Sequence, residues 1–185
     1  MKTNENIVLY VLRLAGTLLA ITAIVAACLA GVNSITAPII QQLNEQKTQE
    51  AIAKVLPGGY DSIIDTYTDE TGLVSKVYKG ENGYALEVLP VGFDNVITMM
   101  VGVDNEGKVL GISVVKHTET AGLGAVAAAA TPKGVEFRDQ FVGTSGSVAV
   151  TKDGGDLAAI TGATITSRAV CAGVNAALAC VAGLG

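Results

Sequence analysis

No charged residue occurs between Leu14 and Val32, an apolar run of about 19 positions where a helix crossing the hydrocarbon of a bilayer needs roughly 20. Ile7 to Leu12 extend the apolar character beyond Arg13. The run predicts a membrane helix or a signal sequence, because it is too uniformly apolar for an amphipathic core helix, which keeps one polar face. Arg13 can snorkel toward the headgroups and leave Lys2 and the terminal amine on the same side. The bias of positive charge toward the cytoplasm puts that end inside and everything after Asn33 outside. Val25-Ala26-Ala27-Cys28 also has the form of a lipoprotein cleavage box, with Cys28 as the lipidated residue. Both routes deliver the bulk of the chain to the same face of the membrane.

A second helical pattern starts at Thr36, a capping residue, with Pro38 suited to a first turn and Ile39, Leu43, Ala51, Ile52 and Val55 at partial helical spacing. Its middle, Asn44 to Glu50, is polar throughout, as expected of a solvated stalk. From about Leu73 the apolar period shortens to two. Val74 to Tyr78, Tyr84 to Val91, Ile97 to Val103 and Val109 to Val115 read as strands, joined as antiparallel hairpins by Glu81-Asn82-Gly83 and Asp104-Asn105-Glu106-Gly107. A short helical piece is expected near Gly134 to Phe141, another strand at Ser147 to Thr151 and a turn at Asp153 to Asp156. Val170, Val174, Leu178 and Val181 then recur at helical spacing, with Cys171 and Ala177 beside them. The expected class is α+β: a single amino-terminal transmembrane helix and helical stalk, then an extracytoplasmic domain with an antiparallel sheet and flanking helices. The corresponding boundaries are residues 1–33 for the cytoplasmic tip and anchor, 34–58 for the stalk and 59–185 for the domain.

Charge and cysteine content narrow the chemistry. The net charge of −5, with scattered basic residues, leaves no footprint for nucleic acid. Cys28, Cys171 and Cys180 lack the close spacing of a zinc or iron–sulfur site and read as small apolar side chains. No metal site is expected of this chain alone. His117 reads as a hydrogen-bonded structural residue.

Two short segments carry chemistry. The first, Thr161-Gly162-Ala163-Thr164-Ile165-Thr166-Ser167, opens the final helix. Its hydroxyls can cap the first free N–H groups, Gly162 admits a turn closed to other residues, and the positive end of the helix favours a phosphate. The second, His117-Thr118-Glu119-Thr120-Ala121-Gly122-Leu123-Gly124, leaves the end of the last hairpin strand. Its glycines let backbone N–H groups approach a flat ligand or an anion, while Glu119 and Thr120 add an acceptor and a hydroxyl. Taken singly, each segment also fits a plain helix cap or a plain turn.

Together they resemble the FMN-binding subunits of two related membrane complexes, the G subunit of the Rnf ferredoxin:NAD oxidoreductase and the C subunit of the sodium-pumping NADH:quinone reductase. The likeness runs over nearly the whole length, in the order anchor, stalk, sheet, Gly-Leu-Gly loop, Thr-Gly-Ala-Thr turn and final helix. It implies one FMN per chain, esterified through its phosphate to Thr164, with Thr161, Thr166 and Ser167 as caps and Gly162 and Ala163 in the binding turn. It also implies that Glu119, Thr120, Gly122, Leu123 and Gly124 lie against the flavin, with Tyr84 a further candidate for the same pocket. Ala121 stands where the family usually has Pro, and Ala158 where it generally has the Asp implicated in recognition by the flavin transferase, which moves FMN from FAD. The function implied is that of an electron carrier in an ion-translocating ferredoxin:NAD oxidoreductase, a redox subunit that is not an enzyme on its own. Its partners would be the other membrane subunits and, during maturation, the transferase. From a different class, the rival reading is a membrane-anchored extracellular ligand-binding or sensing domain without a redox role. A third is a flavin enzyme acting alone on a diffusible substrate.

Overall fold

The structure is a computed structural model that describes residues 2–184, with side chains from Ile7 onward. Lys2, as a side chain, and the terminal amine therefore fall outside the described residues. The chain divides into two units, the first ending at Glu45 and the second beginning at Gln46.

Helix α1 (Lys2–Val55) is continuous through both sequence patterns. Neither a break nor a new cap occurs at Thr36. The Thr36 hydroxyl donates instead to the carbonyl of Val32 at 2.9 Å, as Thr17 does to Leu14 at 2.8 Å, so these side chains are satisfied inside the helix. Pro38 lies within the helix rather than at its first turn. In the first unit the apolar side chains from Ile7 to Leu43 are exposed, and a window of the helix reaches a mean hydropathy of 2.2. The helix is long and apolar enough to cross a membrane.

The second unit is built on a five-stranded antiparallel meander. Its strands are β1 (Ser62–Ile64), β2 (Val74–Gly80), β3 (Gly83–Val88), β4 (Thr98–Asp104) and β5 (Val109–Lys116). The expected hairpins are present, with Gly80 opposite Gly83 and Gly107 at positive φ in the next turn. β1 has too few residues to show alternation and was not expected. Both faces of the sheet are covered. Met99, Val101 and Val103 point to one side and meet Val170, Val174 and Ala177 of α3 (Thr164–Ala182). Met100, with Tyr78 and Ala85, points to the other and meets Ala51, Ile52 and Val55 in the last turns of α1. This two-sided burial explains why β4 reads as a nearly unbroken apolar run. The α+β class is the one expected.

The close approach of α1 depends on Gly102, where an added Cβ would stand 2.0 Å from the carbonyl oxygen of Val55. Gly102→Ala must therefore move backbone. We expect it to cost about 3 kcal/mol, at the upper end for overpacking, measured as a fall in the thermal midpoint of the detergent-solubilised chain.

The strand expected at Ser147 to Thr151 is absent. Gly143 and Gly146 take positive φ and turn the chain away from a ladder, which leaves isolated bridges from Lys108 to Ser145 and from Val150 to Leu157. Thr151–Asp153 closes into a 3-10 turn, ended by Gly154 in the left-handed region. The short helix expected near Gly134 is α2 (Pro132–Asp139), capped by Thr131. Arg138 of α2 donates to the carbonyls of Ala127 at 2.7 Å and Ala129 at 3.0 Å, tying down the 3-10 turn Gly124–Ala127 that follows the glycine loop.

Candidate functional site

Glu119 organises the region. It lies beyond the end of β5, is 7% exposed, and its carboxylate accepts from the backbone N–H groups of Phe93 at 2.9 Å and Asp94 at 3.3 Å. The other oxygen accepts a short hydrogen bond from the Thr166 hydroxyl, 47 residues away in sequence. One side chain thus joins the β3–β4 connection, the glycine loop and the first turn of α3. Space is made for it by glycine. A Cβ at Gly92 would stand 2.2 Å from Oε1, and one at Gly124 2.3 Å from Oε2. We expect Gly124→Ala to displace the carboxylate and loosen the site by about 2 kcal/mol, with faster amide hydrogen exchange at Phe93 and Asp94 as the readout.

The hydroxyl assignments differ from those expected. The N-cap of α3 is Ala163, which makes no side-chain cap, and the first turn holds no acidic residue. Thr166 is engaged by Glu119, and Thr161 is exposed in the turn before the helix. Ser167, fully buried, accepts from Ile160 N–H at 2.9 Å and donates to Ala163 carbonyl at 3.0 Å, so it braces the turn from behind rather than capping the helix. The tertiary bond to Glu119 outcompetes local capping for Thr166, because a buried carboxylate needs a donor more than an exposed N–H needs an acceptor. The start of α3 is left open. Thr164 is half-buried there, beside Gly162 at φ 78°.

Glu119, Thr120, Leu123, Gly124, Gly162, Ala163 and Thr164 line a single cleft of about 320 Å³, together with Phe93, Lys152, Ile165 and Thr166. Gly122, at φ 76°, and Thr161 lie on the other side of the loop, in a hollow of about 460 Å³ with Lys133, Glu136 and Gln140. Tyr84 is not brought to the cleft. It pairs with Val103 at the far end of the sheet and lines a separate hollow with Asp61 and Lys79, whose ammonium lies 5.9 Å from the ring.

Three further cleft residues, Phe93, Lys152 and Ile165, carry no legible signal in the sequence. Phe93 is 67% exposed at the rim, and Ile165 shows apolar surface there much as Leu123 does. Lys152 sits on the 3-10 turn before Gly154 and donates to Thr164 Oγ1 at 3.2 Å. The turn is held to α3 by Asp153, which accepts from Arg168 Nε at 2.7 Å and Nη2 at 2.6 Å. The hydrogen bonds from Arg168 keep the Asp153 carboxyl below the usual range and raise the guanidinium in turn.

Ala158, on the segment leading into the turn, is held by its backbone: its N–H donates to Gln140 Oε1 at 2.7 Å and its carbonyl accepts from Gln140 Nε2 at 3.3 Å. His117 differs from expectation, since its buried Nδ1 has no hydrogen-bond partner. The cysteines take no part. Burial pushes the Cys171 thiol up to about 11 and raises Cys180 as well, while Cys28 is exposed on α1. No cluster able to hold a metal ion occurs among the described residues.

Residues 92–179 match the family model described as FMN-binding domain. Over 95% of its length, and 95% of the relative's, the chain is 33% identical to the G subunit of the Na(+)-translocating ferredoxin:NAD(+) oxidoreductase complex of Acetobacterium woodii. The chain belongs to this G-subunit family. It is also 33% identical to the G subunit of the ion-translocating oxidoreductase complex of Methanosarcina acetivorans, over 88% of this chain and 89% of that protein. The G subunit of the proton-translocating ferredoxin:NAD(+) oxidoreductase complex of Clostridium ljungdahlii is 31% identical over 81% and 80%. Glu119, Lys152 and Thr164 all fall within the stretch matched to the FMN-binding domain.

Proposed function

We propose that this chain is an electron-carrier subunit of a membrane-bound, ion-translocating ferredoxin:NAD oxidoreductase, with one FMN attached through a phosphoester to Thr164. Membership of the G-subunit family and the match to an FMN-binding domain support the redox role. The observation that carries the attachment point is the open start of α3, where an uncapped first turn and the Lys152 ammonium converge on the Thr164 hydroxyl. Both favour a phosphate at that oxygen.

The cleft residues fit the rest of the cofactor. Phe93, Leu123 and Ile165 offer apolar walls to a flat ring system, and Gly124 and Gly162 keep backbone close to it. Glu119 has its carboxylate occupied by Phe93, Asp94 and Thr166, so its part is to hold the walls in place. Gly122 and Thr161 support the loop from its other side, and we leave Tyr84 out of the binding set. A bound flavin supplies the ability to accept electrons in pairs and release them singly. The chain contributes binding, orientation and a covalent tether that keeps the cofactor from being lost outside the cell.

In this reading α1 anchors the protein by a single pass, with the amino terminus in the cytoplasm and the domain beyond the membrane, and boundaries at residues 1–33, 34–58 and 59–185. The other subunits of the complex and a flavin transferase are its partners. The test is an intact-mass measurement on the chain coexpressed with a flavin transferase. One added FMN per chain is expected, and a bare polypeptide under abundant transferase would rule the reading out.

A further inference from the structure

An exposed helix start normally carries an acidic residue or a side-chain cap, since both answer the positive end of the helix. At α3 neither is present: the N-cap is Ala163, which makes no side-chain cap, and no acid stands in the first turn. The carboxylate that reaches this turn, Glu119, is taken up by the Thr166 hydroxyl and the N–H groups of Phe93 and Asp94, and what stands beside Thr164 is a cation. The Lys152 ammonium is 3.2 Å from Thr164 Oγ1, and among the described residues it makes no ion pair. The neighbouring acid, Asp153, makes no ion pair with Lys152 and has both its oxygens taken by Arg168. A lysine at a helix start is electrostatically unfavourable until an anion arrives between the two.

We propose that Lys152 is the phosphate-contacting residue of this site, and that the Asp153–Arg168 pair is the buckle that positions it. The inference rests on the reading of Thr164 as the attachment point. In the attachment step the Thr164 Oγ–phosphorus bond forms, the phosphoanhydride bond of FAD breaks, AMP leaves, and the hydroxyl proton passes to water. Negative charge on the transferring phosphoryl oxygens develops within reach of the Lys152 ammonium. In the finished diester one negative charge remains, and Lys152 is its counter-ion. Asp153 would compete for that ammonium if Arg168 did not occupy it.

The full chain, purified in detergent, is incubated with FAD and a flavin transferase, and incorporation is followed by intact mass and by fluorescence on a denaturing gel. Lys152→Met is expected to lower the initial rate about tenfold or more, in line with the loss of one charged donor at a developing oxyanion. Lys152 is exposed, so the variant should unfold at the parent's temperature. Lys152→Arg keeps the charge and should restore at least half the parental rate. A Met variant that incorporates flavin at the parental rate overturns the proposal, as does an Arg variant no faster than Met. If the parent takes up no flavin, the attachment reading itself falls and takes this one with it. If the parent is labelled and the Met variant keeps pace, only the role of Lys152 is lost.

Discussion

Thr164→Ala is expected to leave the chain without flavin even when the transferase is abundant: bare mass, and no fluorescent band on a denaturing gel. The loss should be complete, not graded, because an ester needs an oxygen and alanine has none. Neighbouring hydroxyls do not offer a substitute. Thr166 is committed to Glu119, Ser167 is fully buried behind the turn, and Thr161 faces a different hollow. Thr164→Ser keeps an oxygen in the same place and should retain the label. The fold should be untouched by either change, since the Thr164 side chain bonds only Lys152 among the described residues. Fluorescence that survives in Thr164→Ala would move the attachment point elsewhere, with Thr161 the next position to change.

Glu119→Ala should have a large effect on stability. It removes the acceptor shared by two backbone N–H groups and a hydroxyl, and leaves them facing a cavity at a site 7% exposed. Leaving buried donors unsatisfied costs about 1–3 kcal/mol, and we expect about 3 kcal/mol here because several are affected together. For a domain of this size that lowers the thermal midpoint by roughly 6–12 °C. Glu119→Gln should be milder, about 1 kcal/mol, since one carbonyl oxygen still serves Phe93 and the amide can turn its NH2 toward Thr166. The order Ala worse than Gln, read from thermal unfolding of flavin-free protein, is the check. An alanine variant as stable as the parent would mean that the three segments are held together by something other than this carboxylate.

Much of the architecture was legible because it rests on periodicity. The apolar run to Val32, the period-two strands from Val74 to Val115 and the helical spacing from Val170 to Val181 each declare their element through local pattern. Elsewhere local pattern and tertiary structure part company. Thr36 and Pro38 look like a helix start, yet α1 continues through them, since a threonine hydroxyl bonded to the preceding turn is as well satisfied as a cap. Ser147 to Thr151 alternates like a strand, but the flanking left-handed glycines leave it only the isolated bridge from Val150 to Leu157.

The candidate site divides in the same way. Glycine and hydroxyl spacing named the two segments, and with them Glu119, Gly124, Gly162 and Thr164, because turns and helix starts are local events written in adjacent residues. Their meeting was not written there. Glu119 reaches Thr166 across 47 positions, and Lys152 comes to Thr164 only because Asp153 and Arg168 bind a 3-10 turn to the side of α3. Chain order thus dictated which elements form, through backbone preferences and apolar period. Which side chains share one cleft, and which hydroxyl faces it, depended on burial: a carboxylate enclosed beyond the sheet took Thr166 as its donor and left the oxygen of Thr164 at the open end of the helix, beside Lys152.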